Sequence, residues 1–377
     1  MSRGILHILH SLNPATGGPA EAVRQICFAH RDAGDAAEIV TLDAPGAPFF
    51  EGWPVPIHAM AGRGKIGWTP QLGRWLGQHA RDFTGVYVHG LWQWQGAGSW
   101  FALRGGRPPY FVFPHGMLDP WFRDAHPWKH LRKALYWQAL EKRVLRDAAA
   151  VVFTCEEERQ LGRETFHPWT ARREEIVSLG TVAPPAPAAD LKERFFVRHP
   201  ELRGQRLLLF LGRLHVKKGC DLLLQAFRQV RPAQHLVLAG PCGDPSLEAA
   251  LRAQAQGLPA TFTGPLYDLD KWAALAAADA FILPSHQENF GIAVAEALAS
   301  GLPTLISQKV NIWREIVADG AGFAEPDTVE GTARLLEQWQ KADSAAMRSS
   351  ASRCFSTRFD IRCTAAALVK LAHEKPD

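Results

Sequence analysis

The chain has 377 residues, which at roughly 150 residues per domain suits two to three domains, most simply two Rossmann-sized halves. Hydrophobic residues make up 47% and charged residues 21%, which excludes a chain disordered along its whole length. A formal net charge of +4 is too small to call for a nucleic-acid partner, so any basic patch must be local.

Residues 4–9 (Gly-Ile-Leu-His-Ile-Leu) read as a first apolar strand. Behind it Asn13-Pro14-Ala15-Thr16-Gly17-Gly18-Pro19-Ala20 opens a helix, and the adjacent Gly17 and Gly18 would let a phosphate or an acceptor approach the backbone closely. Further apolar runs at 37–42, 86–89, 110–113 and 151–154 predict four more strands, the run 110–113 ending on Pro114-His115-Gly116. Residues 182–190 are rich in proline and alanine without periodicity and read as a linker. Beyond it, strands are expected at 207–211, 235–239, 261–263, 280–283 and 304–306. Each run is followed by a polar or glycine break and a helix-length segment. Such alternation predicts two parallel sheets, each covered by helices on both faces. The expected plan is a first domain at 1–181, the linker, a second domain at 191–355, and a final helix within 356–377 that returns to the first domain. In open α/β sheets ligands sit beyond the carboxyl ends of the strands, so chemistry should follow the strands.

Two segments in the second half fit that rule. Phe210-Leu211-Gly212-Arg213-Leu214-His215-Val216-Lys217-Lys218-Gly219 carries Arg213 and Lys218 across a glycine-flanked strand-end loop. A planar guanidinium that binds bidentately and an ammonium acting as a point charge suit a diphosphate, although a solvated basic turn would read the same way. Ser285-His286-Gln287-Glu288-Asn289-Phe290-Gly291 follows the strand at 280–283, and 291–300 reads as an alanine-rich helix. Glu288 then sits at the strand-to-helix turn and Glu296 in the second helical turn, with the N–H groups of Asn289, Phe290 and Gly291 available to an anion or a hydroxyl-bearing ligand. Acids serving the helix dipole alone are the competing explanation.

Together, in this order and spacing, the two segments resemble the retaining nucleotide-sugar glycosyltransferases of family 4, over essentially the whole chain and most strongly over 207–317. Glu288 and Glu296 match the family's paired glutamates, separated by seven residues. The resemblance implies the GT-B fold, two Rossmann-like doubly wound parallel-sheet domains facing across a cleft. It implies that Glu288 and the amides of Asn289, Phe290 and Gly291 contact the donor sugar, that Glu296 holds the ribose, and that Arg213 and Lys218 neutralise the donor diphosphate. The backbone at Leu266, in Phe262-Thr263-Gly264-Pro265-Leu266-Tyr267, would carry the base, and His115 would reach the donor sugar. Glu288, His115, Arg213 and Lys218 are the implied catalytic set. A nucleotide-diphosphate sugar is then a co-substrate, with no further cofactor and no metal, and the acceptor is a saccharide or a polyprenyl-linked saccharide. No second carboxylate is evident as a covalent nucleophile, and the resemblance implies same-face attack, the departing phosphate assisting deprotonation of the acceptor. Alternatives are a nucleotide-sugar epimerase on the same fold and a non-catalytic nucleotide-sugar-binding protein. A nicotinamide dehydrogenase is disfavoured because no G-x-G-x-x-G stands at the turn after the first strand.

The family's usual Gly-Gly turn after the strand at 304–306 is replaced here by Ser307-Gln308-Lys309-Val310-Asn311-Ile312-Trp313, where Asn311 is expected to cap the following helix. Asp268-Leu269-Asp270 superficially spells a D-x-D metal motif, but either aspartate suits an N-cap of the next helix. Residues 121–146 hold seven bases against two acids, Asp124 and Glu141, interleaved with Trp121, Trp128 and Trp137. Two readings are open: a segment lying on an anionic leaflet, which suits a polyprenyl-linked acceptor, or an amphipathic helix with Leu131, Leu135 and Trp137 in the core. The six cysteines (Cys27, Cys155, Cys220, Cys242, Cys354, Cys363) form no C-x-x-C pair, against both a disulfide framework and a structural zinc site. No stretch approaches the roughly 20 apolar residues that span a bilayer, and the run at 4–9 is too short for a signal peptide. The expectation is a cytoplasmic protein with reduced thiols, soluble or attached to the inner face of the membrane.

Overall fold

The computed structural model describes residues 4–374 apart from 17, 107, 122 and 124–126. Gly17 and four residues of the basic segment (Phe122, Asp124, Ala125 and His126) therefore lie outside the described residues. The chain divides into two units, Met1–Gly180 with Ile361–Asp377, and Thr181–Asp360.

The first unit is built on seven strands, β1 Gly4–Leu9, β2 Ala37–Thr41, β3 Ile57–Ala59, β4 Phe83–His89, β5 Tyr110–Phe113, β6 Ala150–Phe153 and β7 Glu174–Ile176. They pair in the order β3-β2-β1-β4-β5-β6-β7, every neighbouring pair being parallel. The second unit holds β8 Leu207–Leu211, β9 His235–Ala239, β10 Ala260–Gly264, β11 Ala280–Leu283, β12 Thr304–Ser307 and β13 Gly322–Glu325. Their order is β10-β9-β8-β11-β12-β13, again all parallel. Central strands such as Leu-Leu-Leu-Phe-Leu in β8 are buried at every residue, because helices cover both sheet faces and leave no polar side. The strands without a sequence signal, β3, β7 and β13, are all edge strands. An edge strand is held by one neighbour's backbone and needs no apolar run, so Glu-Glu-Ile suffices for β7.

Covering helices follow the same logic. Helix Cys220–Val230 buries Cys220, Leu223, Leu224, Ala226 and Phe227, one apolar face at helical spacing. Helix Ile292–Ala299 is half alanine and buries Val294, Ala295, Glu296, Ala297 and Leu298. The small side chains let it lie close to the sheet, and they carry Glu296 inward with them.

The chain crosses between units at Gly180/Thr181 and at Asp360/Ile361. The proline-alanine segment does not stay extended to residue 190, since helix Ala188–Arg198 begins within it. Residues 355–359 belong to the second unit, where Thr181 N–H donates to the Phe359 carbonyl at 2.9 Å. The final helix, Ile361–His373, lies on the first unit, where the Tyr87 hydroxyl donates to the Leu368 carbonyl at 2.6 Å and the Thr364 hydroxyl to the Ser178 carbonyl at 2.8 Å. Tyr87→Phe removes a buried hydroxyl and should lower unfolding free energy by about 1 to 2 kcal/mol. Urea unfolding followed by circular dichroism measures this, and an unchanged midpoint would show that the bond adds nothing.

Candidate functional site

In the second unit the strand order reverses between β8 and β11, and the loops leaving those two strands carry most of the residues singled out above. The loops are pinned to each other by backbone. Gly219 has φ +64°, and a Cβ there would stand 2.1 Å from the Pro284 carbonyl oxygen, so only glycine fits both the conformation and the approach. Beside it, His286 N–H donates to the Lys217 carbonyl at 2.8 Å. The side chain of His215 caps the short turn Val216–Lys218 by accepting from Lys217 N–H at 3.1 Å. The result is an ion pair between Lys218 Nζ and Glu288 Oε2, both side chains largely withdrawn from solvent.

Glu288 is also fixed through its own backbone. Its N–H donates to the Lys309 carbonyl at 2.9 Å, and its carbonyl accepts from Asn311 N–H at 3.0 Å. The loop after β12, which lacks the Gly-Gly turn, thus grips the glutamate loop; the Ser307 hydroxyl adds a bond to the Ser285 carbonyl. Asn311 does not cap the next helix. That N-cap is Ile312, without a side-chain bond, and the buried Asn311 amide instead donates to Asn289 Oδ1 at 3.4 Å.

Glu296 is 6% exposed and meets Lys271 Nζ at 2.5 Å. A carboxylate so withdrawn needs a cation beside it, and Lys271 supplies one from helix Asp268–Ala277. Neither Asp268 nor Asp270 is that helix's N-cap: the cap is Tyr267, with no side-chain bond. Asp268 sits at φ +47°, and the Asp270 carboxylate is taken by Arg194 at 2.7 Å and by Arg198. Among the described residues, no group of three or more His, Cys, Asp or Glu is placed to hold a metal ion. Leu266 lines a cavity of about 490 Å³ together with Thr263, Tyr267 and Arg198.

The loops after β8, β9 and β10 are likewise joined. Leu214 N–H donates to the Pro241 carbonyl and Gly240 N–H to the Gly264 carbonyl, each at 2.9 Å. A Cβ on Gly240 would lie 1.8 Å from the Gly212 oxygen, so this crossing also requires glycine. Arg213 is exposed, and no hydrogen bond or ion pair joins it to Lys218, Glu288 or Glu296 among the described residues. Phe290 is buried against Phe359, with ring centroids 5.7 Å apart. The structure thus joins Lys218 to Glu288 and Glu296 to Lys271, and leaves Arg213 on the rim of the loop.

In the first unit His115 follows β5 with φ +52°. Its turn is held by the buried Glu158, which accepts from Gly116 N–H at 2.5 Å and from the Thr154 N–H and hydroxyl at 2.7 and 2.6 Å. His115 Nε2 lies 2.9 Å from His89 Nδ1, and His89 Nε2 lies 3.0 Å from His7 Nδ1. Burial pushes the His115 imidazole down to about 4 and lowers His89 and His7 well below the usual histidine range, so all three rings are neutral at pH 7. Gly18 begins the helix Gly18–Ala33.

The basic segment forms helix Pro127–Tyr136, followed by a π-helical turn Trp137–Glu141. Trp137 enters the core as expected of an amphipathic helix, but Leu131 and Leu135 do not: they are 54% and 67% exposed, and Trp128 is 80% exposed. These three share one helical face, and none of the described residues of the first unit covers it. Glu141 is fully buried, and burial pushes its carboxyl up to about 8, so it does not offset the surface bases. No helix among the described residues is long and apolar enough to cross a membrane.

Sequence reasoning missed Lys271, the Lys309 backbone, His89 and His7. A buried glutamate announces that a cation must be near, but not which one. Histidines in, at the end of or just after three apolar strands (β1, β4, β5) were a signal that the chain order of the strands did not reveal.

Over residues 192–352 the chain matches the family described as Glycosyl transferases group 1, and over residues 17–180 the Glycosyl transferase 4-like domain. It is 30% identical over 178 residues to a GDP-mannose-dependent alpha-(1-6)-phosphatidylinositol dimannoside mannosyltransferase of Mycobacterium tuberculosis, covering 41% of this chain and 46% of that protein. The matched region thus spans about half the length of this curated relative. Among solved structures it is similar to sucrose-phosphate synthase from Thermosynechococcus elongatus, with a TM-score of 0.73, 19% identity and 98% of each chain covered. It is also similar to Anabaena HepE solved in complex with UDP, with a TM-score of 0.77 and 20% identity over 97% of this chain and 98% of that one. At such identities the structural likeness speaks for the fold.

Gly219→Ala should strain the backbone and press a methyl group against the Pro284 carbonyl, lowering stability by about 1 to 3 kcal/mol. Denaturant unfolding reads this directly. A variant as stable as the parent would mean that the loop has room and that the pinning argument fails.

Proposed function

We propose, from the premise that this chain belongs to the glycosyl transferases group 1 and has the GT-B fold, that it is a retaining, metal-independent glycosyltransferase. It moves a hexose-type sugar from a nucleotide-diphosphate donor to a hydroxyl of a saccharide or polyprenyl-linked saccharide, in exopolysaccharide or cell-envelope polysaccharide synthesis. The observation that carries this reading is the Lys218–Glu288 pair at the switch point between β8 and β11, the place where doubly wound sheets bind ligands.

In this reading the donor diphosphate takes up the positive potential of Lys218 and the exposed Arg213, and Glu288 is released toward the sugar hydroxyls. Glu296, held by Lys271, meets the ribose, and the backbone around Leu266 meets the base. As the anomeric bond lengthens, negative charge accumulates on the leaving diphosphate, and fixed cations stabilise it more than they stabilise the ground state. The acceptor hydroxyl attacks the same face, losing its proton to the departing phosphate. The names of the similar proteins mention GDP-mannose and UDP, so both bases belong in any donor screen.

Arg213→Ala should weaken transition-state stabilisation by about 2 to 4 kcal/mol, the range for losing one charge-assisted donor. Glu288→Gln should lower turnover at least as far while leaving nucleotide affinity within a few-fold, because the carboxylate serves the sugar. Thermal shifts against UDP-, GDP- and ADP-sugars find the donor, and steady-state kinetics with it read both variants. Unchanged kinetics in Arg213→Ala, or lost nucleotide binding in Glu288→Gln, would remove the assigned roles. Donor altered without any acceptor would favour an epimerase.

The exposed Trp128, Leu131 and Leu135, with the exposed Lys129 and Arg132 on the same helix, support attachment to the cytoplasmic leaflet, where a polyprenyl-linked acceptor would be found. Apolar side chains with a basic rim suit an anionic surface. Sedimentation should show binding to vesicles containing anionic lipid, weak binding to neutral ones, and loss of both in a Leu131→Gln, Leu135→Gln double variant. Equal binding by parent and variant would exclude this face.

A further inference from the structure

A neutral imidazole has one N–H and one bare nitrogen, and this limits what three imidazoles in a row can do. His7, His89 and His115 are linked by two contacts, Nδ1 to Nε2 at 3.0 Å and Nδ1 to Nε2 at 2.9 Å. Because His89 has a single proton, both bonds must run the same way. In one arrangement His115 Nε2–H donates to His89, His89 donates to His7, and His7 Nε2–H is the last donor. In the other, His7 Nδ1–H donates to His89, His89 Nδ1–H donates to His115 Nε2, and His115 carries its proton on Nδ1.

The far end of the chain chooses between them. His7 is fully buried and its Nε2 has no hydrogen-bond partner among the described residues. The neighbours that could change this do not: neither ring nitrogen of His30, 5.7 Å away ring to ring, is hydrogen-bonded, its Nδ1 lying 3.8 Å from Asp35 Oδ2, and the Tyr87 hydroxyl is committed to the Leu368 carbonyl. The first arrangement buries an N–H with no acceptor, the rarer and costlier defect. The second leaves there only a bare ring nitrogen. We infer that His7 and His89 are positioning residues that set the tautomer of His115, so that His115 presents Nδ1–H as a fixed hydrogen-bond donor.

The rest of the site is built to keep that orientation. Glu158 holds the strained turn through Gly116, and the rings of Phe113 and His89 stack on the His115 ring at 5.4 and 5.1 Å. A ring so fixed gives a hydrogen bond without accepting a proton, which suits an oxygen lone pair: a sugar hydroxyl or a phosphate oxygen. That the oxygen belongs to the donor substrate rests on the function proposed above; the tautomer does not.

The first test uses the unaltered protein, with histidine ring nitrogens isotope-labelled and the His115 signals identified by their loss in His115→Gln. At neutral pH the His115 spectrum should show a protonated Nδ1 and an unprotonated Nε2. A protonated Nε2, or an imidazolium, would overturn the inference whether or not the protein transfers sugar. The second test compares His89→Phe with His89→Asn, whose side-chain amide can still donate from the Nδ position. With the donor identified, His89→Phe should lose about tenfold in kcat with little change in KM, the scale of one mis-set hydrogen bond, and His89→Asn should recover most of it. A His89→Phe protein with parental kcat and parental His115 tautomer would also overturn the inference.

Discussion

Parallel pairing is the constraint from which the arrangement of both units follows. When every strand of a sheet points the same way, every strand's carboxyl end emerges at one edge, and the loops there become neighbours whatever their separation along the chain. Lys218 and Glu288 are 70 residues apart, yet β8 and β11 are adjacent in the sheet. The loops that leave them are neighbours because those strands are adjacent, and the reversal of strand order there opens a crevice between them. Close backbone approach finishes the work: Gly219 against Pro284, Gly240 against Gly212 and Glu288 between Lys309 and Asn311 turn several loops into one connected surface.

That surface holds its acids in a particular state. Both glutamates are paired with lysines from other elements, and the pairing orients each carboxylate while offsetting part of its desolvation cost. In the proposed reaction this makes the second unit an electrostatic device whose cations are already in place before substrate arrives. Arg213, outside these pairs and exposed, is the cation the proposed diphosphate would reach at least cost.

The first unit solves a different problem. Its sheet carries histidines in or after β1, β4 and β5, and register brings Leu9 opposite His89 and His89 opposite Phe113. The histidines then line up across the strands, His7 and His89 buried and His115 half-buried, all three neutral, and the orientation of one ring is set by the others. Backbone strain at His115 is tolerated because Glu158 and the stacked rings determine the turn from several sides. The same unit leaves Leu131 and Leu135 uncovered while burying Trp137, so one helix is packed on one face and open on another.

Local chemistry alone determined much of this. Continuous apolar runs such as 207–211 specify buried parallel strands, and Glu288 in the strand-to-helix turn with Glu296 on the alanine-rich helix behind it places both acids near one strand end. Such features depend on neighbours in the chain, and so they are legible in it. The edge strands β3, β7 and β13 were not, because a single backbone ladder holds them and their side chains carry no pattern. Nor were Lys271, the grip of the β12 loop on Glu288, the failure of Asn311 and Asp270 to act as caps, or the line of His7, His89 and His115. Each depends on which strands lie side by side and on which competing partner a polar group finds first, and those are decided only when the sheet closes its order in three dimensions.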